Sequence, residues 1–179
     1  MAMRADAQRN YDRLVAVAGE VVAEQGAEAS LEEIARRAGV GSATLHRHFR
    51  SRQALLEAVF KDRVDVLCAW ADELLDEPDS AGALVTWLGA VVAHAVANRG
   101  LGAALSMSID EGLGTSAHLR ILAAGGRLLA RAERDRLVRS DCTIVDVLQL
   151  VNAISSVSEE DPERAERMLG LVVTGVLSR

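Results

Sequence analysis

Two helix-start signals lie on either side of a glycine turn in the first third of this 179-residue chain. Ser30, with Glu33 three residues later, has the pattern of a capping box, in which hydroxyl and carboxylate each pair a backbone N–H that the helix start leaves free. Gly39 is expected to end that helix, because a residue without a Cβ atom adopts the left-handed turn at little cost. Ser42 is then expected to cap a second short helix over residues 43–49. Two short helices joined in this way predict a helix-turn-helix, a unit that reads DNA.

The second short helix is predicted to have one buried face and one outward face. Leu45 and Phe49 are four residues apart, so they share one side of the helix and face the interior. The side chains expected to point outward are Thr44, His46, Arg47 and His48. These four residues form the predicted contact face for nucleic acid.

The charge pattern supports this interpretation. The chain has a net charge of −6, yet residues 34–56 contain five arginines, two histidines and no acidic residue. Affinity for nucleic acid comes largely from counterions that cations displace from phosphates, so the local positive charge matters more than the total. The sequence therefore predicts double-stranded DNA as a partner of this segment.

The segment TLHRHFRSRQALLEAVF resembles the recognition helix and the start of the next helix in the TetR-like transcriptional regulators. The preceding segment, GAEASLEEIARRAGVG, resembles the same family. Later segments are similar to its SbtR-like branch: WLGAVVAHAVANRGLGAAL, DVLQLV and PERAERMLGLVVTGVL. The resemblance implies an all-α, homodimeric, ligand-responsive regulator that represses by occupying a near-palindromic operator.

Transferred position by position, the resemblance also implies DNA contacts. The base-facing residues are Ser42, Ala43, Thr44 and Arg47. The phosphate contacts are His46, His48, Arg52 and Ser30, the last through the N-terminus of its helix. The chemistry agrees, since an arginine can donate two parallel hydrogen bonds to guanine and a threonine methyl can contact thymine.

Two positions depart from the family pattern. Tyrosine is usual where His46 stands, and lysine is usual where Arg52 stands. Arg52 keeps the positive charge and can bind a phosphate with two donors. His46 is shorter than tyrosine and titrates near neutral pH, so its contact is expected to differ or to depend on pH.

The composition favours an all-α fold. Half of the residues are hydrophobic, only 3% are aromatic and only two are prolines, which suits helices packed through Ala, Leu and Val. About nine helices are predicted, over residues 7–25, 31–38, 43–49, 52–75, 79–98, 101–109, 116–137, 141–156 and 162–177, with a loop at 111–115. We divide the chain into a DNA-binding domain, 1–51, and a ligand-binding and dimerisation domain, 52–179. No membrane span, metal or cofactor is predicted, and the two isolated cysteines suit the reducing cytoplasm.

The last two predicted helices have more apolar surface than one helix pair needs to bury. The residues assigned to a homodimer interface are Leu148, Val151, Leu169, Val172, Val173 and Val176. Pairing of these helices with the same two helices of a second subunit would form a four-helix bundle about a two-fold axis. The alternative is that both helices bury these residues within their own chain.

A site for a small-molecule effector is expected among the middle helices. The residues assigned to it are Trp70, Trp87, Val91, His94, Leu105, Met107 and Leu122. Each of them can equally be an ordinary core residue. We expect the bound effector to change the angle of the helix that begins at Arg52, and so to separate the two reading helices from successive grooves.

Two alternatives from other functional classes remain open. The first is a helical metal-dependent enzyme that uses Asp110, Glu111, His118 and His94. The sequence lacks a Glu-x-x-His pair, a phosphate-binding glycine loop and a nucleophile elbow, so an enzyme is not expected. The second is a protein-interaction module that has kept the scaffold and lost DNA binding, which the change at His46 would suit.

Overall fold

The computed structural model describes residues 2–26, 28–97, 112–158 and 161–177. Over these residues the chain is all-α, with eight helices and one isolated β-bridge between Val138 and Leu177. The helices are α1 (Ala2–Gln25), α2 (Leu31–Arg37), α3 (Ser42–His48), α4 (Arg52–Leu74), α5 (Ser80–Ala97), α6 (Gly112–Arg134), α7 (Ile144–Val157) and α8 (Pro162–Val176). The predicted fold class is confirmed. None of the helices in the described ranges is long and apolar enough to cross a bilayer.

The described residues divide into two compact units within the chain. The first unit ends at Arg63, and the second begins at Val64. The first turns of α4 therefore belong to the first unit, whereas the predicted domain division lies between residues 51 and 52. That division stays a prediction about which residues carry each function.

The first unit is held together by one apolar cluster from α1 to α4. Its fully buried side chains include Leu14, Val21, Ile34, Leu45, Leu55 and Val59. The turn predicted at Gly39 has φ +67°, and Gly26, which follows the first helix, has φ +80°, both in the left-handed region that glycine adopts most readily. These turns end α1 and α2. The short helix α3 between α2 and α4 packs into the cluster through Leu45, its buried residue.

The second unit packs around Trp87 of α5, which is completely buried. Its indole nitrogen donates a hydrogen bond to the backbone carbonyl of Leu67 at 3.1 Å, so the polar atom of this large side chain is satisfied inside the core. The ring also lies against Gly125 of α6, where a Cβ atom would come within 2.6 Å of it. The close approach of α5 and α6 therefore depends on the missing side chain.

Ion pairs join α4 to α6 at the surface of the second unit. Arg120 pairs with Asp65, and two helical turns later Arg127 pairs with Asp72. Arg131 donates to the backbone carbonyl of Leu74 at 3.2 Å, where α4 ends. These contacts fix the register between the second half of α4 and α6.

Several helix ends differ from the predicted ones. The first helix begins at Ala2, although the sequence predicts about residue 7, and α6 begins at Gly112, inside the predicted loop over 111–115. Ser42 is the first residue of α3 and does not cap it, since the N-cap is Gly41, which has no side chain to offer. The helix predicted over 141–156 begins at Ile144, with Thr143 as its N-cap. The predicted helix over 101–109 lies outside the described residues.

Candidate nucleic-acid interface

The start of α2 forms one half of the predicted capping box. The hydroxyl of Ser30 accepts a hydrogen bond from the backbone N–H of Glu33 at 3.4 Å and donates one to the carboxylate of Glu32 at 2.8 Å. The carboxylate of Glu33 instead binds the guanidinium groups of Arg36 and Arg37 at 2.7–2.8 Å. Ser30 is exposed, as a residue in contact with phosphate must be.

The outward face of α3 follows the predicted division in part. Leu45 and Phe49 are buried, and His46 and Arg47 are exposed. Thr44 is half-buried at the side of this face, whereas Ser42 and Ala43 are exposed at its beginning. We call residues 42–44, 46 and 47 the reading face; the folded chain leaves it open to a partner.

His48 does not point outward as the sequence predicts. Its ring is half-buried and lies 6.2 Å from the ring of Tyr11 and 6.3 Å from that of Phe49. Its Nε2 atom is buried and has no hydrogen-bond partner in the described part of the chain. The prediction is corrected because His48 lies three residues after the buried Leu45, on the same side of α3, where the imidazole packs against the aromatic rings.

Acidic residues that precede the arginine-rich segment pair with three of its five arginines. Arg37 binds Glu24 of α1 at 2.7 Å as well as Glu33. Hydrogen bonds from Arg36 and then Arg37 lower the pKa of Glu33 to about 2. Arg52 binds Glu28 at 2.6 Å. The segment is therefore less cationic at these positions than its composition indicates.

The remaining two arginines are free to bind an anion. Arg47, on the reading face, and Arg50, in the turn before α4, are exposed and make no hydrogen bond or ion pair within the described ranges. Arg50 was not among the predicted contact residues, although it lies in the segment without acids. Its position next to Ser51, which caps α4 by accepting from the N–H of Ala54 at 3.1 Å, keeps it at the surface.

The described residues predicted to line an effector site lie in the second unit, where Trp87, Val91 and Leu122 belong to one apolar cluster. Trp87 and Val91 are buried in its core, Trp70 is 36% exposed, and His94 and Leu122 are half-buried. The other two predicted residues, Leu105 and Met107, lie outside the described residues. The structure thus assigns Trp87 a packing role.

A groove of about 430 Å³ opens elsewhere, between α5 and α8. Its lining is apolar except for one carboxylate: Gly89, Val92, Ala93, Val96, Ala165, Glu166 and Leu169. None of the predicted effector residues lines it. Sequence reasoning missed it because Gly89 and Ala93 are small, and small residues give no signal of a cavity.

The residues predicted for the dimer interface face their own chain. Leu148, Val151, Leu169 and Val176 are each at most 8% exposed, and Val172 and Val173 are half-buried against the same core. Other large apolar side chains of these helices are open to solvent, with Leu150 49%, Val157 47% and Leu171 76% exposed. Leu148, Val151, Leu169 and Val176 are thus core residues of their own chain, because helical periodicity finds an apolar stripe without showing what covers it. The interface role of Val172 and Val173 stays a prediction.

Two family models match this chain along most of its length. Residues 14–59 match the bacterial regulatory proteins of the tetR family, and residues 79–178 match the C-terminal domain of SbtR-like transcriptional regulators. A TetR transcriptional regulator from Streptomyces coelicolor is 35% identical, with a TM-score of 0.82 over 93% of this chain and 98% of the other. A TetR transcription regulatory protein from Mycobacterium vanbaalenii is also 35% identical, with a TM-score of 0.81 over 98% and 99%.

The chain belongs to the TetR family. It is a transcriptional regulator and not an enzyme, and the resemblance seen in its sequence is confirmed. HTH-type transcriptional regulators of Staphylococcus aureus are 32% identical over 76 residues, 42% of this chain and 41% of theirs. The matched part thus spans about two fifths of those curated relatives.

Membership of the TetR family gives no support to the alternative of a metal-dependent enzyme. Two of the residues considered for it, Asp110 and Glu111, lie outside the described residues. His118 is exposed on α6, and the described ranges contain no cluster of metal-ligating side chains.

Proposed function

We propose that this TetR-family protein is a cytoplasmic repressor that binds a near-palindromic operator as a homodimer and is released by a small molecule. The observation that carries the proposal is the reading face, where Arg47 is exposed and has no acidic partner in the described part of the chain. A cation in that state adds its full charge to the attraction of DNA phosphates.

The reading face suits the major groove. Arg47 can donate two hydrogen bonds to the O6 and N7 atoms of guanine, and the methyl group of Thr44 can contact thymine. Ser42 and Ala43 are small enough to let the start of α3 approach the bases. His46 and Arg52 flank these residues and contact phosphates, together with Ser30 at the start of α2.

Two alanine substitutions test this assignment. Arg47→Ala is expected to reduce discrimination between operator and unrelated DNA by about 1–3 kcal/mol, since a base contact is lost. Arg52→Ala is expected to weaken binding to all sequences and to flatten the dependence of affinity on salt by about one unit of slope, since a phosphate contact is lost.

Fluorescence anisotropy with labelled duplexes at several salt concentrations measures both effects. Lys61→Ala is a matched control, because this exposed cation lies on α4 outside the proposed interface. Unchanged binding in both arginine variants would overturn the assignment and favour the interaction-module alternative.

The homodimer is proposed to form through the exposed apolar side chains of α7 and α8. Leu150 and Val157 are seven residues apart and share one face of α7, and Leu171 is exposed on α8. Exposed leucine and valine on two adjoining helices favour burial against the same surface of a second copy. Two reading faces joined in this way fit half-sites about one turn of DNA apart.

Replacement of Leu171 by aspartate is expected to yield monomers that remain folded, because this side chain is 76% exposed within the chain. Leu119→Asp is the matched control, since Leu119 is 58% exposed on α6, a helix that contributes no residue to the proposed surface. Sedimentation velocity measures both. A dimeric Leu171→Asp protein, or a monomeric Leu119→Asp protein, contradicts the proposed surface.

The effector is proposed to bind in the second unit, with the groove between α5 and α8 as its site. An apolar groove of this size suits a small, largely apolar molecule. Such a molecule releases DNA only if it binds the conformation that does not bind DNA more tightly than the conformation that does.

The groove is tested by filling it. Gly89→Leu should fill the groove and abolish the fluorescence enhancement of the neutral probe N-phenyl-1-naphthylamine. Gly170→Leu, which adds the same side chain in open space, should leave that enhancement unchanged.

A further inference from the structure

The pair formed by Glu28 and Arg52, like that of Glu24 and Arg37, joins residues of the first unit that do not share a helix. Its carboxylate and guanidinium atoms are 2.6 Å apart, and the two residues are separated by 24 positions in the sequence. Glu28 lies in the turn between α1 and α2 and is 89% exposed, whereas the Arg52 side chain is 39% exposed. Glu33 binds Arg36 and Arg37 within or next to its own helix, where such pairs stabilise the helix. The Glu28 pair has no such local role.

The position of Arg52 makes its partner important. It is the first residue of α4, where the helix dipole and the free backbone N–H groups disfavour a cation and favour an anion. In the free protein the carboxylate of Glu28 lies against the guanidinium of this first residue. A DNA phosphate would satisfy it in the same way, because both groups accept paired hydrogen bonds from a guanidinium.

A second acid strengthens the local negative charge. Glu32 is close enough to His46 and Arg52 for their charges to lower its pKa, after the larger effects of the Ser30 hydrogen bond and its own backbone. The edge of the proposed interface is thus not purely cationic. Phosphates that approach Arg52 meet Glu28 directly and Glu32 at longer range.

We propose that Glu28 occupies the phosphate-binding position of Arg52 and sets the DNA affinity of this regulator below the value that its arginines alone would give. The inference rests on the proposed phosphate contact of Arg52. DNA binding then requires the exchange of a carboxylate for a phosphate. An exposed ion pair contributes little free energy, so the exchange is readily made and the pair tunes affinity without preventing binding.

Glu28→Gln is expected to raise affinity about two- to fivefold at low salt, which is the size of effect that an exposed ion pair produces. The increase should be similar for operator and unrelated DNA, because a phosphate contact carries no sequence information. The dependence of log affinity on log salt should stay close to that of the wild type, since Arg52 neutralises the same phosphate in both complexes.

Two further variants separate this effect from a general change of charge. Glu24→Gln removes the same charge and also breaks a pair between α1 and an arginine, Arg37, that is not a proposed DNA contact. It should change affinity less than twofold, as expected of a small change in net charge. In the double variant Glu28→Gln/Arg52→Ala, affinity should equal that of Arg52→Ala alone.

Anisotropy titrations of the full chain against one operator duplex and one unrelated duplex test whether Glu28 competes with DNA phosphate for Arg52. Failure of the wild-type protein to bind DNA would overturn the proposed function, and an Arg52→Ala protein with wild-type affinity would remove the phosphate contact. If Arg52→Ala weakens binding as expected, an equal or lower affinity in Glu28→Gln overturns this inference alone. An equal gain in Glu24→Gln, or a gain that persists in the double variant, overturns it too.

Discussion

Two adjacent glycines of α6 should respond in opposite ways to the same substitution. A Cβ atom on Gly125 would lie 2.6 Å from the Trp87 ring and 2.8 Å from the Ile144 side chain, whereas on Gly126 it would lie 3.8 Å from Ile144. Trp87 cannot move aside easily, because it is fully buried and its indole is hydrogen-bonded to Leu67.

The expected difference follows from these distances. Alanine stabilises a helix interior by about 1 kcal/mol relative to glycine, and this gain applies equally at both positions. Overpacking of a well-packed core costs about 1–3 kcal/mol and applies only at Gly125. Gly126→Ala should therefore stabilise the protein by up to about 1 kcal/mol, and Gly125→Ala should be less stable than Gly126→Ala by about 1–3 kcal/mol.

Urea unfolding of both variants, followed by far-UV circular dichroism at one protein concentration, measures this difference. The comparison of neighbours cancels the helix preference and leaves the packing contribution. A Gly125→Ala protein as stable as Gly126→Ala would refute the close contact between α5 and α6 from which the reasoning starts.

Three further substitutions test other parts of the fold. Hydrogen bonds from Arg36 and Arg37 hold the pKa of Glu33 at about 2, below its ordinary 4.5. The contribution of Glu33 to stability is therefore present above pH 4.5 and is lost as the pH falls toward 2. Thermal melts should show Glu33→Gln less stable than wild type at neutral pH and equal to it near pH 2. Arg136 has a φ of 59°, so Arg136→Gly should raise the free energy of unfolding in urea by about 0.5–1 kcal/mol, and a loss of stability would show that the arginine side chain contributes more than the strain costs. Thr143→Ala should lose about 1 kcal/mol in the same assay through the missing cap of α7, whereas Thr143→Ser should stay near wild type.

Local signals predicted the helix-turn-helix well. Gly39 ends α2 in the predicted left-handed conformation, and α2 and α4 begin at the expected residues. These features depend on residues within a few positions of each other, so the sequence contains them directly. The sequence predicted the start of α1 and the start of α6 at Gly112 less well. At both places the local helix preferences are weak, and the rest of the chain overrides them.

The features that the sequence did not predict depend on contacts between distant positions. Glu28 and Arg52 are separated by 24 residues, and no spacing rule connects them. Periodicity identified Leu169 as part of an apolar face, yet the same pattern results whether the face meets its own chain or another one. His48 is an exception: it lies three residues after Leu45, so helical spacing alone places it on the buried side of α3, where it meets the ring of Tyr11.

The aromatic residues are distributed so that each unit has its own optical reporter. The protein has one tyrosine, Tyr11, in the first unit, and two tryptophans, Trp70 and Trp87, in the second. Trp70 is accessible to an aqueous quencher such as iodide, while Trp87 is shielded from it. Indole fluorescence of the unaltered protein therefore follows events in the second unit, and iodide separates its surface from its interior, without any introduced label.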